Sequence, residues 1–220
     1  MSRSTIRINR VHYPVTALGP GTRVGIWLQG CDLGCHGCIS RDTWAPGAGR
    51  DLSVSEMVDA LDGLVDGPLD GVTISGGEPF GQPRGLADLL VGIRVWAGER
   101  WGSRAIDVLC YSGHPIELLE ASHPDLLGLL DVIVSDPYVA AIPSPDGLRG
   151  SGNQRITPLS PLGEERYGAA APRVPRRLQT EVDEGGSVWL IGIPGRGDLR
   201  RLTRRLAASG VHLEGVSWQA

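Results

Sequence analysis

The sequence predicts an α/β fold in which parallel strands are buried on both faces. Strand-like and helix-like segments alternate along the chain, and the strand-like segments are continuous apolar runs rather than alternating apolar and polar residues. The chain has 220 residues, of which 41% are hydrophobic, enough for one sizeable core. Four to six such units make either an open doubly wound sheet or a partial barrel.

The first half of the chain supplies two strand–helix units. A buried strand is predicted over residues 24–30, and it runs directly into a loop that carries three cysteines. Ser53 and Glu56 form a capping box at the start of a helix. The apolar residues of that helix recur at helical spacing and are Val54, Met57, Val58, Leu61 and Val65. A second strand over residues 71–75 ends at a pair of glycines, and a helix follows to about Trp101.

The second half begins in the same way and then becomes irregular. A third strand is predicted over residues 105–110, a helix begins near Pro115, and a fourth strand covers residues 131–135. Residues 137–175 are rich in Pro and Gly and are expected to be mostly loop. A late strand over residues 188–193 precedes a last helix, which ends at Gly210. The leucines of that helix are Leu199, Leu202 and Leu206.

The three cysteines of the first loop are spaced C-x3-C-x2-C over residues 31–38, which we call the cysteine loop. An iron–sulfur cubane has four irons, so three thiolates would leave one iron open as a reaction site. In a reducing compartment, clustered cysteines favour metal or redox work over disulfides. A zinc site completed by His36 is an alternative. The fourth cysteine, Cys110, ends a distant strand and is expected to be a buried small hydrophobe.

A second motif, Ser-Gly-Gly-Glu-Pro, follows the second strand, and we call residues 75–78 the glycine turn. Two glycines allow a sharp turn and a close approach of backbone to a ligand. The carboxylate of Glu78, next to that backbone, suits an ammonium group. Chemistry in parallel α/β sheets lies beyond the carboxyl ends of the strands, so we expect both motifs on the same edge.

With these motifs the sequence resembles the radical SAM superfamily, and more closely the short activating enzymes of glycyl radical enzymes, of the anaerobic ribonucleotide reductase type. The segments that carry the resemblance are residues 19–44, 73–80, 111–113 and 149–155. The resemblance implies a 4Fe–4S cluster held by Cys31, Cys35 and Cys38, with S-adenosylmethionine bound at the open iron. It implies that the methionyl ammonium is bound by Ser75, Gly76, Gly77 and Glu78. It places Ser151 and Asn153 near the cofactor.

The function implied by the resemblance is reductive cleavage of S-adenosylmethionine to a 5′-deoxyadenosyl radical, which abstracts hydrogen. The hydrogen is expected to come from a glycine of a partner glycyl radical enzyme. Two alternatives stay open: a radical SAM enzyme that acts on a small molecule or peptide, and a non-catalytic iron–sulfur module for electron transfer. The fold expected is a partial (β/α)6-type barrel of parallel strands in a single domain over residues 1–220. Its parts are the cysteine loop, a variable loop region at about 137–180 and a C-terminal strand–helix unit at about 186–220.

Composition limits the remaining functions. All 21 basic residues are Arg, so a lysine Schiff base and a P-loop lysine are excluded. The net charge of −4 gives no general attraction to nucleic acid. No apolar stretch is long enough for a membrane span, and the first residues lack the apolar core of a signal peptide. We therefore expect a cytoplasmic protein that binds neither nucleic acid nor membrane.

Two groups of arginines have more than one interpretation. Arg23 is expected either to contact a carboxylate of a substrate or partner or to brace the cysteine loop. The last helix carries four arginines opposite its leucines, which form either a solvated face or a docking site for an acidic electron donor such as flavodoxin or ferredoxin. These arginines are Arg200, Arg201, Arg204 and Arg205.

Overall fold

The computed structural model describes residues 4–102, 104–182 and 186–216. Nine strands lie in the described ranges: β1 Thr5–Val15, β2 Arg23–Leu28, β3 Arg50–Ser53, β4 Gly71–Gly76, β5 Asp107–Tyr111, β6 Val132–Ser135, β7 Arg155–Pro158, β8 Leu178–Val182 and β9 Val188–Gly192. Six α-helices accompany them: α1 Val54–Leu64, α2 Pro83–Trp101, α3 Ile116–Ser122, α4 Pro124–Leu127, α5 Pro161–Tyr167 and α6 Asp198–Ala208.

Seven strands form one open sheet in the order β3-β1-β2-β4-β5-β6-β7. The four in the middle, β2, β4, β5 and β6, are parallel to one another. The flanking strands β1, β3 and β7 pair antiparallel. The expected α/β fold with parallel strands at its centre is therefore confirmed. The (β/α)6-type barrel is not confirmed, because the described sheet is open and four of its strands, rather than six, are parallel.

The two faces of the sheet carry different layers, because successive side chains of a strand point to opposite faces. Ile26 of β2 belongs to the large core under α1 and α2, which includes Leu61 and Leu90. The next residue, Trp27, faces the other way into a smaller cluster with Val15, Leu18, Ala17 and Ile191. Helices α1 and α2 thus cover one face. The hairpin of β8 and β9 covers part of the other face, where Tyr167 of α5 also packs against Leu109 and Val132.

Several elements were not predicted, each for a local reason. β1 is half-buried and mixes polar with apolar residues, so it lacks the apolar run that marked the central strands. β3 and β7 have only four residues each and lie at the edges of the sheet. α5 lies in the Pro- and Gly-rich stretch expected to be loop, where Ser160 caps its first turn and Pro161 begins it.

The predicted late strand exists as β9, but it is not part of the central sheet. It pairs antiparallel with β8 in a separate two-stranded sheet. Trp189 of β9 lies edge-on to Trp27, with ring centroids 6.4 Å apart, so the hairpin is packed onto β2 through aromatic side chains. An apolar run with five residues is compatible with either placement, and only the packing decides between them.

Arg23 corrects one expectation. It is the first residue of β2, at the end opposite the cysteine loop, and is fully buried. Its guanidinium donates to both carboxylate oxygens of Asp107, at 2.6 and 3.1 Å, and to the hydroxyl of Thr73 at 2.7 Å. It therefore joins β2, β4 and β5 at their amino ends and neither braces the cysteine loop nor faces a partner.

None of the helices in the described ranges combines the length and the apolar character needed to cross a membrane.

Candidate active site

The cysteine loop begins where β2 ends, and hydrogen bonds close it at its base. The backbone N–H of Gly30 donates to the carbonyl of Thr43 at 2.7 Å, and that of Cys31 donates to the carbonyl of Trp44 at 3.1 Å. The buried side chain of Gln29 donates to the carbonyl of Ala45 at 2.8 Å. The chain thus leaves the sheet, carries the three cysteines, and returns to the same point.

The three thiols are free and partly exposed. The loop is folded by Gly34 and Gly37, whose φ angles of 59° and 78° lie in the left-handed region that glycine adopts without strain. Burial raises the pKa of the Cys31 thiol, and the carboxylate of Glu78 and the other two thiols raise it further. The cysteines therefore lie within electrostatic reach of one another and of the glycine turn.

This donor set fits a cluster. It consists of three thiolates, which are the ligands that iron–sulfur clusters take. Among the described residues, no three His, Cys, Asp or Glu side chains are placed as the ligands of a single metal ion. Cys110, the fourth cysteine, is fully buried in the core under the helices, as the sequence predicted.

The glycine turn is held directly against the end of β2. The backbone N–H groups of Gly77 and Glu78 donate to the carbonyls of Leu28 and Gly30, each at 2.8 Å. A β-carbon on Gly77 would lie 2.1 Å from the carbonyl oxygen of Gly30, so only glycine fits there. The motif predicted a close approach of backbone to a ligand. In the structure the glycine turn is in close contact with the backbone at the end of β2.

Glu78 is 3% exposed, and its carboxylate is largely engaged within the chain. It accepts hydrogen bonds from the N–H of Phe80 at 3.0 Å, the hydroxyl of Ser112 at 2.9 Å and the N–H of Gly113 at 2.8 Å. Burial raises its pKa. Because a carboxylate has about four acceptor positions, one is left for a ligand. Glu78 therefore joins the segment that follows β4 to the segment that follows β5.

Ser151 and Asn153 lie in one loop at this edge but differ in what they leave available. Ser151 is fully buried, and its hydroxyl accepts from the N–H of Val139 at 3.0 Å. Asn153 donates from its amide nitrogen to the carbonyl of Pro137 at 2.8 Å. Within the described residues its buried Oδ1 has no hydrogen-bond partner. A buried acceptor without a partner is costly unless a ligand satisfies it, so Asn153 fits a polar cofactor better than Ser151 does.

Two groups at the site were not among the site residues expected from the sequence. Tyr138 lies over the cysteine loop: a β-carbon on Gly37 would be 3.7 Å from Cε1 of its ring. Burial raises the pKa of Tyr138, and Cys38 and Cys35 add to the rise. Ser112 is the second group, through its bond to Glu78. Both lie just beyond the carboxyl ends of parallel strands, a position that could have indicated them.

Comparison with known proteins identifies the family of the chain. Residues 17–157 match the family described as a 4Fe-4S single cluster domain. The anaerobic ribonucleoside-triphosphate reductase-activating protein of Escherichia coli (strain K12) is 29% identical over 149 residues, which are 66% of this chain and 94% of that protein. The protein with the same name from Vibrio cholerae serotype O1 is 31% identical over 151 residues, with the same shares of each chain.

A second kind of relative matches a shorter segment. The pyruvate formate-lyase-activating enzyme of Clostridium pasteurianum is 37% identical over 118 residues, 52% of this chain and 47% of that one. The family match includes the cysteine loop, the glycine turn and Asn153, and it ends before α5, β8, β9 and α6.

Proposed function

Because the chain belongs to the family of single-cluster 4Fe-4S proteins that includes the anaerobic ribonucleoside-triphosphate reductase-activating proteins, we propose that it installs a glycyl radical on a partner protein. It is a radical SAM enzyme of the activating type, with a 4Fe–4S cluster and S-adenosylmethionine as cofactors. The observation that carries the proposal is the contact between the base of the cysteine loop and the glycine turn at the carboxyl edge of the parallel strands.

The proposed ligands are the residues that the family resemblance implies, and the position of the two loops supports them. Cys31, Cys35 and Cys38 would hold the cluster. The methionyl ammonium would be bound by Ser75, Gly76, Gly77 and Glu78, with Asn153 and Ser151 near the cofactor. When bound, the cluster and S-adenosylmethionine supply a one-electron cleavage of the sulfonium that yields methionine and a 5′-deoxyadenosyl radical, which abstracts hydrogen.

The residues of the chain position and enclose these groups. Glu78 fixes the glycine turn against the segment after β5. The positions of these two segments relative to each other are therefore held by hydrogen bonds. The unpaired Oδ1 of Asn153 offers an acceptor in a buried place. The ring of Tyr138 covers the cysteine loop from the side of β6.

The proposal extends to partners and location. A glycine on a partner glycyl radical enzyme is the proposed hydrogen donor. An acidic protein such as flavodoxin or ferredoxin is the proposed source of the electron. The cytoplasm is the proposed location, since its reducing conditions keep cysteine ligands as thiols.

The test is anaerobic reconstitution with iron and sulfide, followed by reduction with dithionite and addition of S-adenosylmethionine. We expect formation of 5′-deoxyadenosine and a cluster EPR signal that the cofactor alters. Addition of a glycyl radical enzyme, such as an anaerobic ribonucleoside-triphosphate reductase, should then give a glycyl radical signal. A cluster indifferent to S-adenosylmethionine would leave only an electron-transfer module. Cleavage without a radical on that protein would favour a small molecule or peptide as substrate.

A further inference from the structure

An open cavity of about 580 Å³ lies beside the cysteine loop. One wall contains Gly37, from the loop itself, and Tyr138. The opposite wall comes from the segment that precedes α6 and from α6 itself, outside the range of the family match. Four arginines line the cavity, which we call the arginine cavity: Arg176, Arg196, Arg200 and Arg204.

The charge of the arginine cavity is largely uncompensated. In the part of the chain that the structure describes, Arg196, Arg200 and Arg204 form no ion pair, whereas the neighbouring Arg201 pairs with Asp198. Arg176 donates only to backbone carbonyls, those of Ser144 and Asp146. The whole chain carries a net charge of −4, so this positive surface is local. A concentration of one sign of charge in a concave surface attracts partners of the opposite sign.

The position of the cavity indicates which part of the reaction it serves. Gly37 lies between Cys35 and Cys38, so an occupant of the cavity would lie against the cysteine loop. No residue of the glycine turn lines the cavity, and neither does Asn153. A partner that presents a glycine to the bound cofactor has to reach the glycine turn, whereas an electron donor needs only to approach the cluster.

We infer that the arginine cavity is the docking site for the acidic surface of a one-electron donor protein. The inference rests on the proposed function, because that function requires the cluster to be reduced. The docked donor loses one electron and the cluster gains it, and no bond or proton changes place in that transfer. Charge complementarity would both hold the donor beside the cysteine loop and speed its encounter.

The test compares two double variants of the same helix. Arg200→Glu/Arg204→Glu reverses two charges in the cavity, and Arg201→Glu/Arg205→Glu makes the same change at two positions of α6 that do not line it. Binding of flavodoxin is measured on each protein as isolated, by biolayer interferometry at several salt concentrations. We expect the cavity variant to weaken binding by about tenfold or more at low salt and to lose most of the salt dependence. The control should stay within about threefold of the unchanged protein.

A second readout keeps this inference separate from the proposed function. The rate of 5′-deoxyadenosine formation is measured with reduced flavodoxin and with dithionite, and the ratio of the two rates should fall only in the cavity variant. Equal binding and equal ratios in both variants would overturn the inference. So would a cavity variant that keeps the ratio but no longer gives a glycyl radical on the partner enzyme, since the cavity would then belong to that partner. Absence of cleavage by the unchanged protein with dithionite would instead contradict the proposed function.

Discussion

At the scale of single residues, the four cysteines have the same side chain in opposite surroundings. The loop cysteines are partly exposed on a segment folded by glycines in the left-handed region, whereas Cys110 is fully buried among the apolar side chains under α2 and α3. Burial raises the pKa of Cys110 well above the ordinary range of a thiol. The thiolate is the form that binds metal, so its surroundings, and not its residue type, exclude Cys110 from the site.

The first prediction uses this difference. Cys35→Ala should abolish loading of the cluster, because one of three thiolate ligands is removed. Cys110→Ala should load iron and sulfide normally and lose about 1 kcal/mol of stability from the small cavity it leaves. The measurement is iron and sulfide content after reconstitution, with the absorbance spectrum of the cluster. Loss of the cluster in the Cys110 variant would contradict the ligand assignment.

At the scale of elements, the site depends on the contact between the segments that follow β2 and β4. The two strands are parallel and in register, with Trp27 beside Ser75 and Leu28 beside Gly76. The segments that follow the two strands therefore leave the sheet at the same level, and the glycine turn lies directly on the base of the cysteine loop. Because this contact is between backbones, no rotation of a side chain can relieve a clash there.

The second prediction compares two glycines of the same region. Gly77→Ala would place a β-carbon 2.1 Å from the carbonyl oxygen of Gly30, and the backbone would have to move. We expect a loss of about 1–3 kcal/mol in the free energy of unfolding and poor loading of the cluster. Gly81→Ala is the matched control, since a β-carbon at Gly81 meets nothing within 4 Å. Equal loading by both variants would show that the contact is not needed for the loop.

At the scale of the whole molecule, one buried ion pair holds the amino ends of the central strands together. Asp107 is fully buried and accepts from Arg23 of β2, from Arg166 and from the hydroxyl of Tyr167. This group joins three strands to α5 at the edge opposite the active site. Burial alone would raise the pKa of Asp107, but the two guanidinium groups hold it below its ordinary value.

The third prediction concerns this network. Asp107→Asn removes the charge that balances the buried guanidinium of Arg23, and we expect a loss of about 3–5 kcal/mol in the free energy of unfolding. Asp51→Asn is the control, because its pair with Arg7 is exposed and screened by solvent and should contribute little to stability. Both are measured by chemical denaturation. Equal losses for the two variants would contradict the role of the buried pair.

The pH dependence gives a further check of the same variant. Since the pKa of Asp107 is lower in the folded protein than in the unfolded chain, its contribution is complete above the unfolded pKa, about 3.9. It is lost as the pH falls through the lower, folded pKa. The stability difference between the unchanged protein and the Asp107→Asn variant should therefore be largest near neutral pH and narrow below about pH 4. A stability difference that stays constant down to pH 2 would mean that the pKa of Asp107 is the same in the folded and unfolded states.

The sequence by itself determined the features that depend on neighbours along the chain. The spacing of the cysteines, the glycines beside them and the capping box of α1, with its bonds between Ser53 and Glu56, are all as expected. So are the four parallel strands, because a strand buried on both faces has to be apolar at every position. The three thiols and the glycine turn could be assigned to one edge because parallel strands present their carboxyl ends together.

Only the tertiary structure decided which distant groups meet. The bonds from Glu78 to Ser112 and Gly113, the position of Tyr138 over the cysteine loop, and the pairing of Arg23 with Asp107 all join residues far apart in sequence. The arginines of α6 show the same limit. Periodicity placed them on one face of the helix, but only the tertiary structure shows that Arg200 and Arg204 line a cavity together with residues 140–144. Periodicity follows from the local geometry of the backbone, whereas contacts between segments depend on how all the layers pack.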